Sequence, residues 1–119
     1  MLLKEMSMKV EEFISCFDEF DLLNKGRNMD EDVTEPYCCD LLSIAMGRMP
    51  QGAAWVTVMA NVNALAVASL ADAACIILAE GSSLDEFTIE KAREKGITVL
   101  GTKLKVFDAA LLIYNRLNA

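Results

Sequence analysis

Ala54 to Gly81 reads AWVTVMANVNALAVASLADAACIILAEG, and the fold class follows from this stretch. Two apolar runs rich in β-branched residues, Trp55 to Met59 and Cys75 to Ala79, flank the alanine-rich segment Ala64 to Leu70, whose length and composition suit a short helix. The spacing predicts a strand, a crossover helix and a parallel strand. Cys75-Ile76-Ile77-Leu78-Ala79 has no polar residue on either face, so the second strand is expected inside a sheet covered on both sides. Asn61 and Asn63 follow the first strand, and Glu80 and Gly81 follow the second. Ligand sites in open parallel sheets lie outside the carboxyl ends of the strands, so the core and the place to look for function come from the same stretch.

Composition narrows the class. A chain of 119 residues is one domain, long enough to bury about two thirds of the surface its unfolded form exposes. Its hydrophobic fraction of 54% and mean hydropathy of +0.30 exceed the average soluble domain, and a subunit interface is where the surplus is expected to go. Ala53 to Ala79 is long enough for a membrane span, but Asn61, Asn63 and Asp72 are costly in lipid and no basic flank marks an inside end. The segment MLLKEMSMKVEE lacks the long apolar run of an export signal, so a cytoplasmic location is expected. Eighteen acidic against eleven basic residues give a formal charge of −7. With Lys and Arg scattered, no basic face for nucleic acid can be assembled. Cys16, Cys38, Cys39 and Cys75 form no C-x-x-C, and the chain has no histidine, so no metal site or cofactor is expected. The reading is of reduced, mostly buried thiols.

Residues 1–7 read as a leader and 8–119 as the domain. Val10, Phe13, Ile14 and Phe17 recur at helical spacing, with Ser7 as N-cap and Glu11, Glu12, Ser15, Asp18 and Glu19 on the other face. Leu22-Leu23 is a short apolar piece before an Asn-Lys-Gly turn. Val33 to Tyr37 reads as an extended edge segment because Pro36 cannot donate to a ladder. Asp40 is the expected cap of a helix that buries Leu41, Leu42, Ala45, Met46 and Met49. Ser83-Leu84-Asp85-Glu86 matches a capping box for a helix running to about Lys95, with Ile89, Ala92 and Gly96 inward, Glu86, Glu90 and Glu94 as an acidic ridge, and Phe87 toward solvent. Ile97 to Leu100 supplies another parallel strand. Leu104 to Leu117 predicts a last helix, apolar over most of its circumference, with sheet on one side and a second subunit on the other; Phe107, Leu111 and Tyr114 are the expected interface residues.

No catalytic constellation emerges. Gly96-Ile-Thr-Val-Leu-Gly101-Thr102-Lys103 inverts the lysine and hydroxyl order of a P-loop and places a strand where the loop belongs. No G-x-S-x-G is present, and Asp72 and Glu80 lie near opposite ends of one strand. If the strands starting at Trp55, Cys75 and Ile97 are parallel neighbours, then Asn61, Asn63, Glu80, Gly81, Thr102 and Lys103 gather on one edge, where helix starts offer amides to an anion. The alternative is that Asn63, Ser83 and Thr102 only cap helices and Gly81 only turns the chain.

Three segments together, MDEDVTEPYCCDLLSIAMG (29–47), WVTVMANVNALAVASLADAACIILAEG (55–81) and LDEFTIEKAREKGITVLGTKLKVFDAALLIYNRL (84–117), resemble a stand-alone DRTGG domain. The similarity runs from about Met8 to Leu117. It is most evident at Asp40-Leu41-Leu42-Ser43, at Asn63 with Ala66-Val67-Ala68-Ser69-Leu70, and from Gly96-Ile97 through Gly101-Thr102-Lys103-Leu104. The contiguous signature that names the family is absent; Asn61-Val62-Asn63 and Ala79-Glu80-Gly81 stand where many members carry Asp-Arg or paired glycines.

The resemblance implies a single three-layer α/β domain with a mainly parallel central sheet flanked by helices, similar to the N-terminal, non-catalytic domain of HPr kinase/phosphorylase. It also implies a module of the kind that accompanies CBS domains in regulated pyrophosphatases, where it supports dimerisation and the CBS pair binds adenine nucleotides. The expectation is therefore a non-catalytic, homodimeric regulatory module that takes a small anionic ligand such as a nucleotide at the carboxyl edge of its sheet. The alternatives are an adaptor that docks onto another protein without a small ligand and, behind it, a small enzyme or kinase-related fragment.

Overall fold

The structure, a computed structural model, describes residues 8–119; the leader expected at 1–7 and its cap Ser7 lie outside them. Strand β6 (Cys75–Leu78) is buried at every position, as its lack of polar side chains requires. It pairs in parallel with β5 (Ala53–Thr57) on one side and β7 (Val99–Gly101) on the other. β4 (Glu35–Cys38) continues the parallel set beside β5, and β2 (Asp21–Asn24) closes the opposite edge antiparallel to β7, giving the order β2-β7-β6-β5-β4. A second, two-stranded ribbon joins β1 (Met8–Lys9) to β3 (Asp32–Val33).

The helices follow from this winding. Strands β4 to β7 advance in one direction across the sheet, so right-handed crossovers place all their connecting helices on the same face. Helix α2 (Leu42–Arg48), α3 (Val62–Leu70) and α4 (Glu86–Lys95) bury Ala45, Ala64, Leu65, Val67, Ala68 and Ala92 against Ala53, Trp55, Ile76, Leu78 and Val99. The other face, with Ala54, Val56, Cys75, Ile77 and Leu100, is left to the ends of the described chain. Helix α5 (Val106–Leu117) covers it with Ala109, Ile113 and Leu117, and Phe13, Phe17 and Phe20 complete the cluster. Three layers result. Among the described residues no helix is long and apolar enough to cross a membrane.

Several local expectations change. The first helix, α1, is only Val10–Phe13, because Met8 and Lys9 pair with β3 and the chain turns after Ile14. Phe13, Phe17 and Phe20 are buried as a cluster with ring centroids 5.0 and 4.8 Å apart, so helical spacing reported burial without a continuing helix. Leu22-Leu23 belongs to β2, an antiparallel edge strand with a register shift between Leu22 and Asn24. Of the face expected to be buried at α2, only Ala45 and Met49 are buried and Leu42 is half-buried; Leu41 and Met46 are exposed. Cys75 is the only buried cysteine, Cys16 and Cys39 are half-buried, and Cys38 is exposed, all four as free thiols. Phe87 is exposed, with the Lys91 ammonium 5.3 Å from its ring centroid, a cation–π contact across one helical turn.

The segment Asn24 to Asn28 is a polar strap that sequence patterning did not reveal. Thr98, fully buried, donates its hydroxyl to Asn28 Oδ1 at 2.9 Å and accepts from the Gly26 N–H at 3.0 Å. Asn28 Nδ2 donates to the Ala74 carbonyl at 2.8 Å and Asn24 Nδ2 to that of Ile97 at 2.7 Å. The Arg27 guanidinium donates to the carbonyls of Arg93 and Glu94, where a cation complements the C-terminal end of the α4 dipole. Gly96 ends α4 in the left-handed conformation at φ 70°.

Gly26 sits where a Cβ would meet Thr98 Oγ1 at 2.6 Å, Thr98 N at 2.7 Å and, closer still, the Gly96 carbonyl oxygen. Gly26→Ala is therefore expected to lower stability by about 3 kcal/mol in urea unfolding, as overpacking against backbone does. Gly47→Ala, in α2 with open space around its Cβ, should raise it by about 0.5–1 kcal/mol through helix propensity.

Candidate functional site

The carboxyl ends of β5, β6 and β7 lie side by side because those strands are neighbours in the sheet. Each end carries part of the expected set: Asn61 and Asn63 after β5, Glu80 and Gly81 after β6, Thr102 and Lys103 after β7. All but Thr102 are exposed, and Thr102 is buried at 5%. The topology thus brings the six residues to one edge, and the hydrogen bonds define what each is free to do.

Asn61 is the N-cap of α3: its backbone is extended and its Oδ1 accepts the Ala64 N–H at 2.9 Å. The alternative that placed a cap at Asn63 is therefore two residues too late, and Asn63 stands exposed within the first turn. Glu80 and Gly81 occupy left-handed backbone at φ 57° and 77°, a conformation that glycine adopts freely and glutamate at a cost of about 1–2 kcal/mol. Two cross-connections hold this turn. The Glu80 N–H donates to the Leu104 carbonyl at 2.8 Å and the Gly81 N–H to that of Thr102 at 2.9 Å. Thr102 in turn donates its N–H to the Leu78 carbonyl at 2.9 Å and accepts the Leu104 N–H on Oγ1 at 3.2 Å. The amides of Glu80 and Gly81 are thereby used within the chain, leaving the Glu80 and Lys103 side chains as the charged groups projecting from the seam.

The other helix starts along this edge also differ from expectation. At α4 the cap is Asp85, whose Oδ1 accepts the Thr88 N–H at 2.8 Å, so the capping box at Ser83 is displaced by two residues. Hydrogen bonding from Thr88, from its side chain first and its backbone N–H second, holds the Asp85 carboxyl below the usual carboxylate range. At α5 the N-cap is Lys105, with no side-chain cap, so Thr102 does not serve as one.

Asp40 does not cap α2 either, whose N-cap is Leu41. Its carboxylate accepts the hydroxyl of fully buried Thr57 at 2.6 Å and the Val58 N–H at 3.0 Å, joining the ends of β4 and β5. Trp55 Nε1 adds a bond to the Cys39 carbonyl at 2.9 Å in the same joint. A carboxylate near the end of one strand, facing a threonine that ends the next, was visible in sequence only as two residues of suitable chemistry; the register of β4 on β5 pairs them.

The opposite, amino edge carries a feature that sequence reasoning did not single out. A shallow depression of about 420 Å³ is lined by Glu31, Asp32, Thr34, Gln51, Gly52 and Asp72. Asp72 has a left-handed backbone, φ 56°, and its carbonyl accepts the Gly52 N–H at 2.8 Å. Its three carboxylates make it unsuited to an anion. Among the described residues no group of three His, Cys, Asp or Glu side chains is placed to hold a metal ion.

Fold and edge define a three-layer α/β domain with a mainly parallel sheet and its polar βα joints at one end. The chain is similar to the crystal structure of the CBS and DRTGG domains of the regulatory region of Clostridium perfringens pyrophosphatase, complexed with the activator diadenosine tetraphosphate. The two share 16% identity at a TM-score of 0.68, over 90% of this chain and 45% of that chain, a likeness that shows the fold. No family model and none of the curated proteins matches the sequence.

Two outcomes follow from this geometry. Asp40→Ala leaves the buried Thr57 hydroxyl without its acceptor and is expected to cost about 1–3 kcal/mol in urea unfolding, whereas Asp40→Asn retains an acceptor oxygen and costs less. Burial also pushes the Cys75 thiol far above its ordinary value of 9.0. Above pH 9 the unfolded chain releases this proton while the folded one cannot, so the contribution present below that pH is lost as pH rises. Urea unfolding between pH 8 and 10 should show falling stability, with a shallower fall in Cys75→Ala.

Proposed function

We propose that the chain is a non-catalytic regulatory and dimerisation module that senses a small anionic ligand, such as a nucleotide, at the carboxyl edge of its sheet. The observation that carries this reading is the adjacency of the β5, β6 and β7 ends, which gathers Asn61, Asn63, Glu80, Gly81, Thr102 and Lys103. Lys103 supplies a cation, and the first turn of α5 lies uncapped beside it. The strained Glu80 turn, stitched to residues 102–104, gives the edge a rigid frame. The fold is similar to part of a regulatory region, over 45% of that chain, whose crystal structure holds a nucleotide activator, and this supports the regulatory role. A cytoplasmic setting and a homodimer belong to the same reading.

A second reading has its own observation. The Glu80 and Gly81 amides and Thr102 are already paired within the chain, which favours an adaptor docking onto another protein without a small ligand. Thermal unfolding with ATP, ADP, AMP and sugar phosphates separates the two. A nucleotide at a hundred times its dissociation constant should add about 2.7 kcal/mol, and Lys103→Glu should remove that gain. If no compound moves the midpoint while a pull-down captures a stable partner, the adaptor reading replaces sensing.

A further inference from the structure

One carboxylate at the carboxyl edge lies outside the set that sequence reading gathered there. The register of β4 on β5 sets Cys38 level with Val56, so Asp40, two residues on, stands level with Val58 just past the end of β5, and the bond between them confirms the alignment. Thr57, Leu78 and Gly101 form one row across β5, β6 and β7. Asp40 closes one end of that row, and Lys103, two residues beyond Gly101, closes the other. Neighbouring strands lie about 4.8 Å apart, so two strand spacings, roughly 10 Å, separate the ends.

The hold on Asp40 is one-sided. Its Oδ1 accepts both bonds, from the Thr57 hydroxyl at 2.6 Å and from the Val58 N–H at 3.0 Å. Thr57 is fully buried and its Oγ1 accepts the Met59 N–H at 3.2 Å, so the hydroxyl that donates to Asp40 is itself fixed. Among the described residues Oδ2 makes no hydrogen bond or ion pair. An exposed carboxylate usually loses rotamer freedom when it meets a ligand. At Asp40 that ordering is already done by the fold, and one acceptor oxygen is left over.

We infer that Asp40 is the hydroxyl-recognising residue of the carboxyl-edge site, which takes a phosphorylated sugar or a nucleotide with its sugar hydroxyls on Asp40 Oδ2 and its phosphate toward Lys103. This rests on the anion-sensing reading above and narrows its ligand class. An ionised carboxylate only accepts hydrogen bonds and repels phosphate, so the group it binds must be a donor. A carboxylate beyond a strand end takes ribose hydroxyls in doubly wound nucleotide folds by the same chemistry. A phosphate joined through a sugar ring to free hydroxyls can bridge the two ends of the row, with a donor at one and an anion at the other. Inorganic pyrophosphate is too short for this and presents only further negative charge to Asp40.

Isothermal titration of the full chain with AMP, 2′,3′-dideoxy-AMP, ribose 5-phosphate and inorganic pyrophosphate tests the assignment. AMP is expected to bind about tenfold more tightly than its dideoxy analogue, the effect of one hydrogen bond to a charged acceptor, and more tightly than pyrophosphate. Ribose 5-phosphate keeps both the hydroxyls and the phosphate: binding equal to AMP points to sugar phosphates, weaker binding to nucleotides, and either supports the proposal. In Asp40→Asn, which keeps an oxygen for Thr57 and Val58, the preference for AMP over dideoxy-AMP should fall to about threefold or less while circular dichroism stays unchanged. Equal binding of AMP and dideoxy-AMP to the unmodified chain, or a hydroxyl preference that survives Asp40→Asn, overturns the role of Asp40 and leaves anion sensing intact. No binding by any of the four overturns both.

Discussion

Cys75, Ile76, Ile77 and Leu78 have no polar atom to offer on either side of the strand beyond a buried thiol, so water has to be excluded from both faces of the sheet there. That demand sets the layer count. One face is covered by the crossovers α2, α3 and α4, which all fall on the same side because the strands advance in one direction. The other face needs cover from outside the βαβ series, and the three phenylalanines before β2 together with α5 after β7 provide it. The rest of the architecture is the closure of this double-sided core.

Burying so much backbone also fixes where polar side chains go. Thr57 reaches Asp40 and Thr98 reaches Asn28, and among the described residues no buried side-chain nitrogen or oxygen lacks a partner. Each such pair is a joint between segments distant in sequence, at the ends of strands rather than within them. Thr57–Asp40 ties β4 to β5, Thr98–Asn28 ties the strap before β3 to the start of β7, and the Glu80–Gly81 turn ties β6 to the loop after β7. The edge that gathers the candidate ligand residues is thus also a structural seam, and the amides at its centre are committed to holding it closed.

Much of this was legible from local pattern. The βαβ core, an edge strand at Pro36, α4 with its Gly96 stop and the presence of α5 follow from apolar runs, a proline, a glycine and helical periodicity, all local signals, although Val33, read as part of that edge strand, pairs instead with Met8 and the strand is Glu35–Cys38. Less legible were the helix caps. Asn61 and Asp85 replace Asn63 and Ser83 because residues with capping chemistry stand close together there, whereas at α2 the Asp40 carboxylate is taken by Thr57 and Val58, which leaves Leu41 as an N-cap without a side-chain bond. Val10, Phe13 and Phe17 carried a helical spacing that burial alone explains beyond Phe13.

Sequence alone determined the class of fold and the identity of the central strand, because side-chain polarity and backbone preference act over a few residues and need no distant partner. Tertiary structure decided which residues meet: Asp40 with Thr57, Gly26 with Thr98, and the six edge residues across three strand ends. It also decided which of α5's apolar stripes faces the sheet, leaving Phe107, Leu111 and Tyr114 outside. Both stripes are hydrophobic enough to be buried, and only the position of the helix against β4 and β5 distinguishes them.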